Sequence, residues 1–417
     1  MRIIYLHQYF NTPNMSGGTR SYEMAKRMVL KGHDVHMITS SREPTQNRSW
    51  FTTNIDGIKV HWLPVEYTNK MSFQRRIKSF FQFAIKSSLK AASIKADIIF
   101  ATSTPLTIAL PAVYASKKQN IPLVFEVRDL WPEMPIAMGA LKNPITIFLA
   151  KLLEKFAYKN SVAINALSPG MKDGIIERGF PSSNISVIPN SSDISMFRVG
   201  TESGLRFRKA RPWLGKNNPV LLYTGTFGLI NDLTSLVEIA LELSKINSKI
   251  KILAIGGGIR FDEIKDYAKN LGVLNENFFM EGYLKKKDVP SAMSAATMTL
   301  SLFLDKPEMQ KNSANKFFDS LASAKPIIIN YGGWMHNLIK KHKCGLAMWK
   351  VPHSEIAKEL NNKVYDEDWL ASASLSSGKL AEEFFDRDVL AAQLIELLES
   401  SVDGNASKAE SIAPGMY

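Results

Sequence analysis

Cysteine is nearly absent: Cys344 is the only one in 417 residues. A single thiol cannot build an internal disulfide framework, and such usage suits a reducing cytoplasm. No stretch reaches the roughly 18 uninterrupted apolar residues of a membrane span. The apolar start, Met1-Arg2-Ile3-Ile4-Tyr5-Leu6-His7, is too short for a signal peptide. No Cys/His cluster has metal-ligand spacing, so no metal site is expected, and no internal repeat is evident. What remains is an ordinary globular composition, 45% hydrophobic and 22% charged, long enough for two domains with a core each. The expected location is the cytoplasm.

Acid is scarce relative to base. The formal charge is +13, from 52 Lys and Arg against 39 Asp and Glu. Residues 70–95 contain Lys70, Arg75, Arg76, Lys78, Lys86, Lys90 and Lys95 and no carboxylate. Ile77, Phe80, Phe81, Ala84, Ile85 and Leu89 fall between them at helical spacing, which predicts a basic amphipathic helix over about 71–95. Such a helix can lie on an anionic membrane surface, each basic residue contributing about 1 kcal/mol. Alternatively it packs its Phe face into the domain and solvates its lysines. Nucleic acid is not an expected partner, because no familiar recognition motif accompanies the charge.

The first half alternates strands and helices. Arg2-Ile3-Ile4-Tyr5-Leu6 suits a buried parallel strand. A loop with Gly17-Gly18-Thr19-Arg20 then opens a helix, and Gly32-His33 leads into a second strand. Glycines at a helix N-terminus leave backbone N–H groups for a phosphate or sugar oxygen. Pro122 to Val127 is another strand, ending abruptly in Arg128-Asp129-Leu130-Trp131-Pro132-Glu133. Arg128 and Asp129 therefore fall at a strand's carboxyl end, where open α/β sheets gather ligands; an ion pair with a neighbour is the plainer alternative.

The second half repeats the pattern. Strands run into glycine-bearing loops at Gly225-Thr226-Phe227-Gly228 and Gly256-Gly257-Gly258, with helix N-termini set for a diphosphate. Arg260 and Lys316 are the cations available to neutralise it. Ser313, Asn315 and Lys316 stand at the start of a further helix, and Asp319, one turn on, can accept two ribose hydroxyls. Asp366-Glu367-Asp368 and Asp386-Arg387-Asp388 imitate a D-x-D metal motif but sit late and in helical context.

Between the halves runs Val187-Ile188-Pro189-Asn190-Ser191-Ser192-Asp193-Ile194-Ser195-Met196-Phe197. It resembles the V-I-P-N-G-V-D-x-x-x-F signature of family 4 glycosyltransferases, with Ser191-Ser192 in place of Gly-Val. Gly17, Gly18, Arg20 and the Gly32-His33 pair match the same family's first βαβ unit. Asp319 matches the second Glu of its E-x₇-E region, with Lys311 where the first should be and Glu308 the nearest replacement. The Arg128-to-Glu133 string and Asn315-Lys316-Phe317 resemble the branch containing L-fucosamine and related amino-sugar transferases of bacterial O-antigen and capsule synthesis. Where many members carry a donor-sugar His, this chain has Arg128-Asp129.

The resemblance implies an α/β GT-B fold: two Rossmann-like doubly wound lobes facing a deep cleft, with a C-terminal helix crossing back to the first. The expected divisions are 1–192 for acceptor binding, 193–384 for the nucleotide sugar, a crossover helix at 385–400 and a flexible tail at 401–417. The implied activity is a retaining, metal-independent transfer of an N-acetylated amino sugar, L-FucNAc being the specific expectation, from a UDP-sugar. The implied acceptor is a polyprenyl-diphosphate-linked saccharide at the inner face of the cytoplasmic membrane. Taken with the residue patterns above, the expected donor contacts are Gly17, Gly18, Arg20, Gly225, Thr226, Gly228, Gly257, Arg260, Ser313, Asn315, Lys316 and Asp319, and the expected catalytic residues are Arg128, Asp129 and Lys316. A nucleotide-sugar epimerase of the same fold, or a non-catalytic membrane-surface protein, are the alternatives.

Overall fold

The computed structural model describes residues 1–15, 17–42, 49–66 and 71–412; the expectations for Lys70 and for residues 413–417 lie outside these. Two compact units result, Met1–Pro189 with Asp388–Tyr417, and Asn190–Arg387.

The first unit opens with β1 (Arg2–Leu6), α1 (Arg20–Leu30) and β2 (Asp34–Ser41). A hairpin comes next, β3 (Phe51–Ile55) and β4 (Ile58–Pro64). Its turn is Asp56-Gly57, both at positive φ, the pair that a two-residue hairpin loop prefers. Then come α2 (Phe73–Ser93), β5 (Ile98–Thr102), α3 (Ala109–Gln119), β6 (Leu123–Val127), α4 (Glu133–Ala137), α5 (Pro144–Lys159), β7 (Ala163–Ala166), α6 (Pro169–Glu177) and β8 (Ile185–Val187). The strands lie in the order β3-β4-β2-β1-β5-β6-β7-β8, parallel except for the hairpin. Every residue of β5 to β8 is buried, as expected of a parallel sheet covered on both faces, and the polar Thr102, Glu126, Asn165 and Ser186 lie buried among them. Strand order reverses between β1 and β5, which makes their carboxyl ends the ligand-binding position of such a sheet.

α2 occupies the predicted basic stretch, but its apolar residues do not form one buried face. Phe83, Ala84, Ser87 and Ala91 are buried, whereas Phe81, Ile85 and Leu89 are 47%, 65% and 64% exposed. α2 packs against α3, and these three larger residues are left facing outward.

The second unit contains α7 (Ile194–Phe197), α8 (Thr201–Lys209), β9 (Val220–Thr226), α9 (Leu233–Lys245), β10 (Lys251–Gly257), α10 (Phe261–Asn270), β11 (Phe278–Glu281) and α11 (Val289–Ala295). It continues through β12 (Met298–Ser301), α12 (Pro307–Gln310), α13 (Asn315–Ala322), β13 (Ile327–Ile329), α14 (Trp334–His342), β14 (Gly345–Ala347), α15 (His353–Lys363) and α16 (Glu367–Phe384). Its sheet is wholly parallel, β11-β10-β9-β12-β13-β14, and reverses between β9 and β12. Tyr223, Phe227, Phe278 and the buried face of α9 fill the core on one side of the sheet.

α17 (Arg387–Val402) starts on the second unit's last residue and belongs to the first unit from Asp388 onward. The stretch from residue 401, expected as a flexible tail, is instead folded as far as Ile412. α17 runs to Val402, and α18 (Ala409–Ile412) packs on β8 with Ala409 and Ile412 buried. Glu410 accepts from Lys172 Nζ at 2.6 Å and from Ser182 Oγ at 2.8 Å, so both apolar burial and ion pairing hold a segment whose composition alone reads as a tail.

Candidate functional site

In the second unit, Lys316 lies across the strand end at the β9/β12 reversal. Its Cε occupies the space that a Cβ on Gly225 would need, and Gly225 has φ +152°, a backbone region that L side chains rarely adopt. Nζ is 5.0 Å from the Tyr223 ring centre and 5.3 Å from that of Phe303, within cation–π range. With its amide turned to satisfy both ends, Asn231 donates to the Thr226 carbonyl at 2.9 Å and accepts from Lys316 Nζ at 3.2 Å. Burial brings the Lys316 pKa down to about 8, against the opposing charge of Asp319. Among the described residues no carboxylate makes ion-pair contact with it, and an arriving anion stabilises such a desolvated ammonium strongly.

Lys316 is also the second residue of α13, whose first turn carries no acidic residue and no side-chain cap. Its first N–H groups are therefore available to an oxyanion. α10 is less suitable: Asp262 and Glu263 occupy its first turn. Arg260 donates to Glu263 at 2.6 Å and to Thr234 Oγ1 at 3.0 Å, so this second expected diphosphate cation is already neutralised. The loop glycines serve close approach. A Cβ on Gly257 would meet the Tyr283 ring, one on Gly258 the Phe227 backbone, and one on Gly228 the end of the Asn231 side-chain amide at 3.1 Å. The Thr226 carbonyl also accepts from Tyr223 Oη at 2.7 Å.

The loop that opens the second unit binds the same helix. Asn190 donates from its backbone to Ser313 Oγ at 3.0 Å and from Nδ2 to the Ser313 carbonyl at 2.6 Å. Ser313 thus holds Asn190 as well as flanking α13, while Asn315 is exposed. Ser192 Oγ donates to Asp319 Oδ1 at 2.7 Å. Burial raises the Asp319 pKa, and the Ser192 bond and Arg387 work against that rise. Ser192 is a residue that sequence reasoning passed over. Its signal was the departure from Gly-Val at Ser191-Ser192, which puts a hydroxyl where the usual signature has an apolar side chain.

In the first unit, a polar cluster stands at the carboxyl ends of β1, β5 and β6. Arg128 Nη1 donates to His7 Nε2 at 3.2 Å, and the Arg128 N–H donates to Ser103 Oγ at 2.9 Å. His7 is buried, and burial with the nearby Arg128 and Arg42 charges pushes its pKa well below the usual histidine value. As acceptor at Nε2, the neutral ring carries its proton on Nδ1, a buried atom with no hydrogen-bond partner among the described residues. The Gln8 amide, also buried, is likewise unpartnered at both ends. Asp129 does not pair with Arg128; it meets Thr104 Oγ1 at 3.4 Å, and burial raises its pKa. His7 and Gln8 went unrecognised because a lone His-Gln after a strand has no motif to mark it.

Arg20 departs from expectation. It is 5% exposed, donates to Glu126 Oε2 at 2.9 and 3.1 Å, and spans the carbonyls of Ile188 and Pro189 at 3.0 and 2.6 Å. Glu126 is itself fully buried and also held by Thr102 and Asn165. Arg20 thus ties β6 to the Ile188-Pro189 segment with four of its five N–H groups. Gly17 and Gly18 are exposed; a Cβ on Gly17 would strike Asn11, which donates to the Gly18 carbonyl at 3.3 Å.

A profile described as Glycosyl transferase 4-like domain matches residues 17–191. The chain is a glycosyltransferase carrying that domain. It is 23% identical over 282 residues to Escherichia coli WcaI, named as a colanic acid biosynthesis glycosyl transferase, covering 64% of this chain and 69% of that protein. Similarity to the alpha-monoglucosyldiacylglycerol synthase of Streptococcus pneumoniae is 20% over 404 residues, 92% of this chain and 85% of the synthase. Anabaena HepE, crystallised with UDP-glucose, superposes with a TM-score of 0.72 at 15% identity over 96% of this chain and 100% of its own. The two mainly parallel sheets of the glycosyltransferase are those of the GT-B fold.

The acidic triplets of this glycosyltransferase have structural employment. Asp366 caps α16 by accepting from the Trp369 N–H, and Arg387 donates to Asp193 and, at 2.7 Å, to the Ser191 carbonyl. Among the described residues no three His, Cys, Asp or Glu side chains gather as a metal site.

Proposed function

We propose that this glycosyltransferase moves an N-acetylated amino sugar, L-FucNAc being the specific assignment, from its UDP-linked form to a polyprenyl-diphosphate-linked saccharide. The reaction belongs to bacterial O-antigen or capsular polysaccharide synthesis. The observation that carries the donor half is Lys316, desolvated at the acid-free start of α13 and lying over Gly225. HepE is bound to UDP-glucose and WcaI is named for colanic acid, a parallel in both nucleotide and product class.

In the proposed step, the bond between the sugar C1 and the β-phosphate oxygen breaks while the acceptor oxygen bonds C1 on the same face. The acceptor proton passes to the leaving phosphate, giving UDP and the extended saccharide. Lys316 and the α13 N–H groups stabilise the charge that grows on the diphosphate, an electrostatic contribution of the kind that dominates many enzymes. Asp319 and Ser192 hold the ribose. On the acceptor side, Arg128 and Asp129 orient the attacking hydroxyl. The basic face of α2 keeps the enzyme on the anionic inner leaflet where such an acceptor resides.

Thermal stabilisation by nucleoside diphosphates tests the donor half. UDP at a hundredfold excess over its dissociation constant should add about 2.7 kcal/mol, and Asp319→Ala should remove the shift. No stabilisation by any nucleotide would overturn the assignment.

A further inference from the structure

α5 carries an apolar stripe that points away from the protein. Ile145, Phe148, Leu149, Leu152 and Phe156 are 69%, 60%, 56%, 47% and 37% exposed, and their spacing of three and four residues puts them on one helical face. A helix of an ordinary domain turns such a stripe inward; here only Glu154, Ala157 and Tyr158 are buried. α3 packs against both α2 and α5, so the stripe shares a helical layer with the exposed Phe81, Ile85 and Leu89 of α2.

The charge of this layer has one sign. α2, α3 and α5 hold ten Lys and Arg and a single carboxylate. That carboxylate, Glu154, is buried and held by Arg178 Nε at 3.1 Å. Exposed Lys151 and Lys155 flank the stripe. A second copy of the chain would bring like charge against like charge, which disfavours self-pairing through this face. An anionic lipid surface satisfies both features, taking the apolar side chains below the headgroups and the lysines among them. Among the described residues no helix is long and apolar enough to cross a membrane, and α5, at about 24 Å, has the length to lie in the plane.

We infer that α5 is the principal bilayer-inserting element, with α2 as its basic flank, and that the α2–α3–α5 layer is a docking face for anionic phospholipid. This deepens the membrane-surface part of the proposed function and rests on that reading.

The experiment is co-sedimentation of the full chain with vesicles of phosphatidylglycerol and phosphatidylcholine, beside vesicles of phosphatidylcholine alone. Phe148→Ser/Leu152→Ser should weaken binding to the anionic vesicles about tenfold or more, with an unchanged UDP thermal shift. A second readout does not depend on loss. Cys344 is fully buried, so Leu149→Cys can be labelled selectively with an environment-sensitive dye, whose emission should shift to the blue on anionic vesicles only. Unaltered sedimentation of the double variant, or no shift from the dye, overturns the inference. So does sedimentation-velocity evidence of a dimer that the double variant abolishes and vesicles do not compete with. The UDP shift reports on the donor reading in the same samples, so a failure of either is read separately.

Discussion

Lys316 and Gly225 interlock: the lysine chain fills the volume that any side chain at 225 would require. Position and charge of the ammonium are thereby set by the absence of an atom on a strand in another part of the sequence. Gly225→Ala should push Lys316 off the strand end and weaken UDP binding about tenfold, the equivalent of ~1.4 kcal/mol. Calorimetric titration with UDP measures this, and Gly228→Ala, whose Cβ faces the Asn231 side-chain amide and Thr226 Cγ2, should do less.

The lowered Lys316 pKa should give UDP affinity a basic limb. Below about pH 8 the ammonium is charged and ready for the diphosphate; above it, free enzyme must first take up a proton. Affinity should fall by at most about tenfold per pH unit above pH 8, and Lys316→Met should be weaker but flat across that range. Stability of the nucleotide-free protein moves the other way. The unfolded lysine, at 10.5, holds its proton more tightly than the folded one at about 8, so burial of this side chain costs stability at neutral pH, and that cost is relieved as pH rises from 8 to 10.5.

Ser192→Ala removes a hydroxyl donor from the partly buried Asp319 carboxylate. The expected loss is about 1–2 kcal/mol at pH 7, read from urea denaturation. Without the bond the Asp319 pKa rises further, so the difference between variant and parent should shrink as pH falls and the carboxyl protonates in both.

Arg20 should behave as a structural residue. Breaking a buried pair by removing one partner typically costs about 3–5 kcal/mol, so Arg20→Met should lower stability by that order while the remaining folded fraction binds UDP with parental affinity. Arg20→Met/Glu126→Met should recover part of the loss, because no uncompensated charge is left. The charge of Arg20 is the main influence holding the Glu126 carboxyl below its ordinary range against the opposing effect of burial. Its contribution is therefore present above the ordinary carboxylate pKa and is lost as pH falls through the lowered one.

Much of the architecture was legible because parallel strands buried on both faces leave unbroken apolar runs, such as Ile3 to Leu6 and Ile252 to Ile255. The glycines after β9 and β10 announced strand ends in the same way. Side-chain partnership was less accessible. The Gly-Gly-Thr-Arg string places Arg20 at a helix start, yet only the fold brings Glu126, 106 residues away, against it. Arg260 reads as a free cation until Glu263 closes on it. The outward stripe of α5 was invisible for a different reason: helical periodicity identifies an apolar face but does not say which way it points.

Asp129 offers the sharpest division between binding and chemistry. It stands at the end of β6, distant in sequence from Lys316, and burial makes its carboxyl hold a proton more readily than an exposed aspartate. If it orients the acceptor hydroxyl, Asp129→Asn should lower kcat by about a hundredfold, the lower range for a positioned acid–base group, with the UDP dissociation constant unchanged. His7→Ala should act through Arg128: the guanidinium loses its Nε2 anchor but keeps its charge and its backbone bond to Ser103. The acceptor KM should therefore rise more than kcat falls, and His7→Gln, which can still offer an acceptor atom, should restore part of it. Single-turnover kinetics with a lipid-linked saccharide separates these effects. Equal loss of UDP affinity in Asp129→Asn would assign the pair to the donor instead, since the same electrostatic change would then be felt before any acceptor is bound.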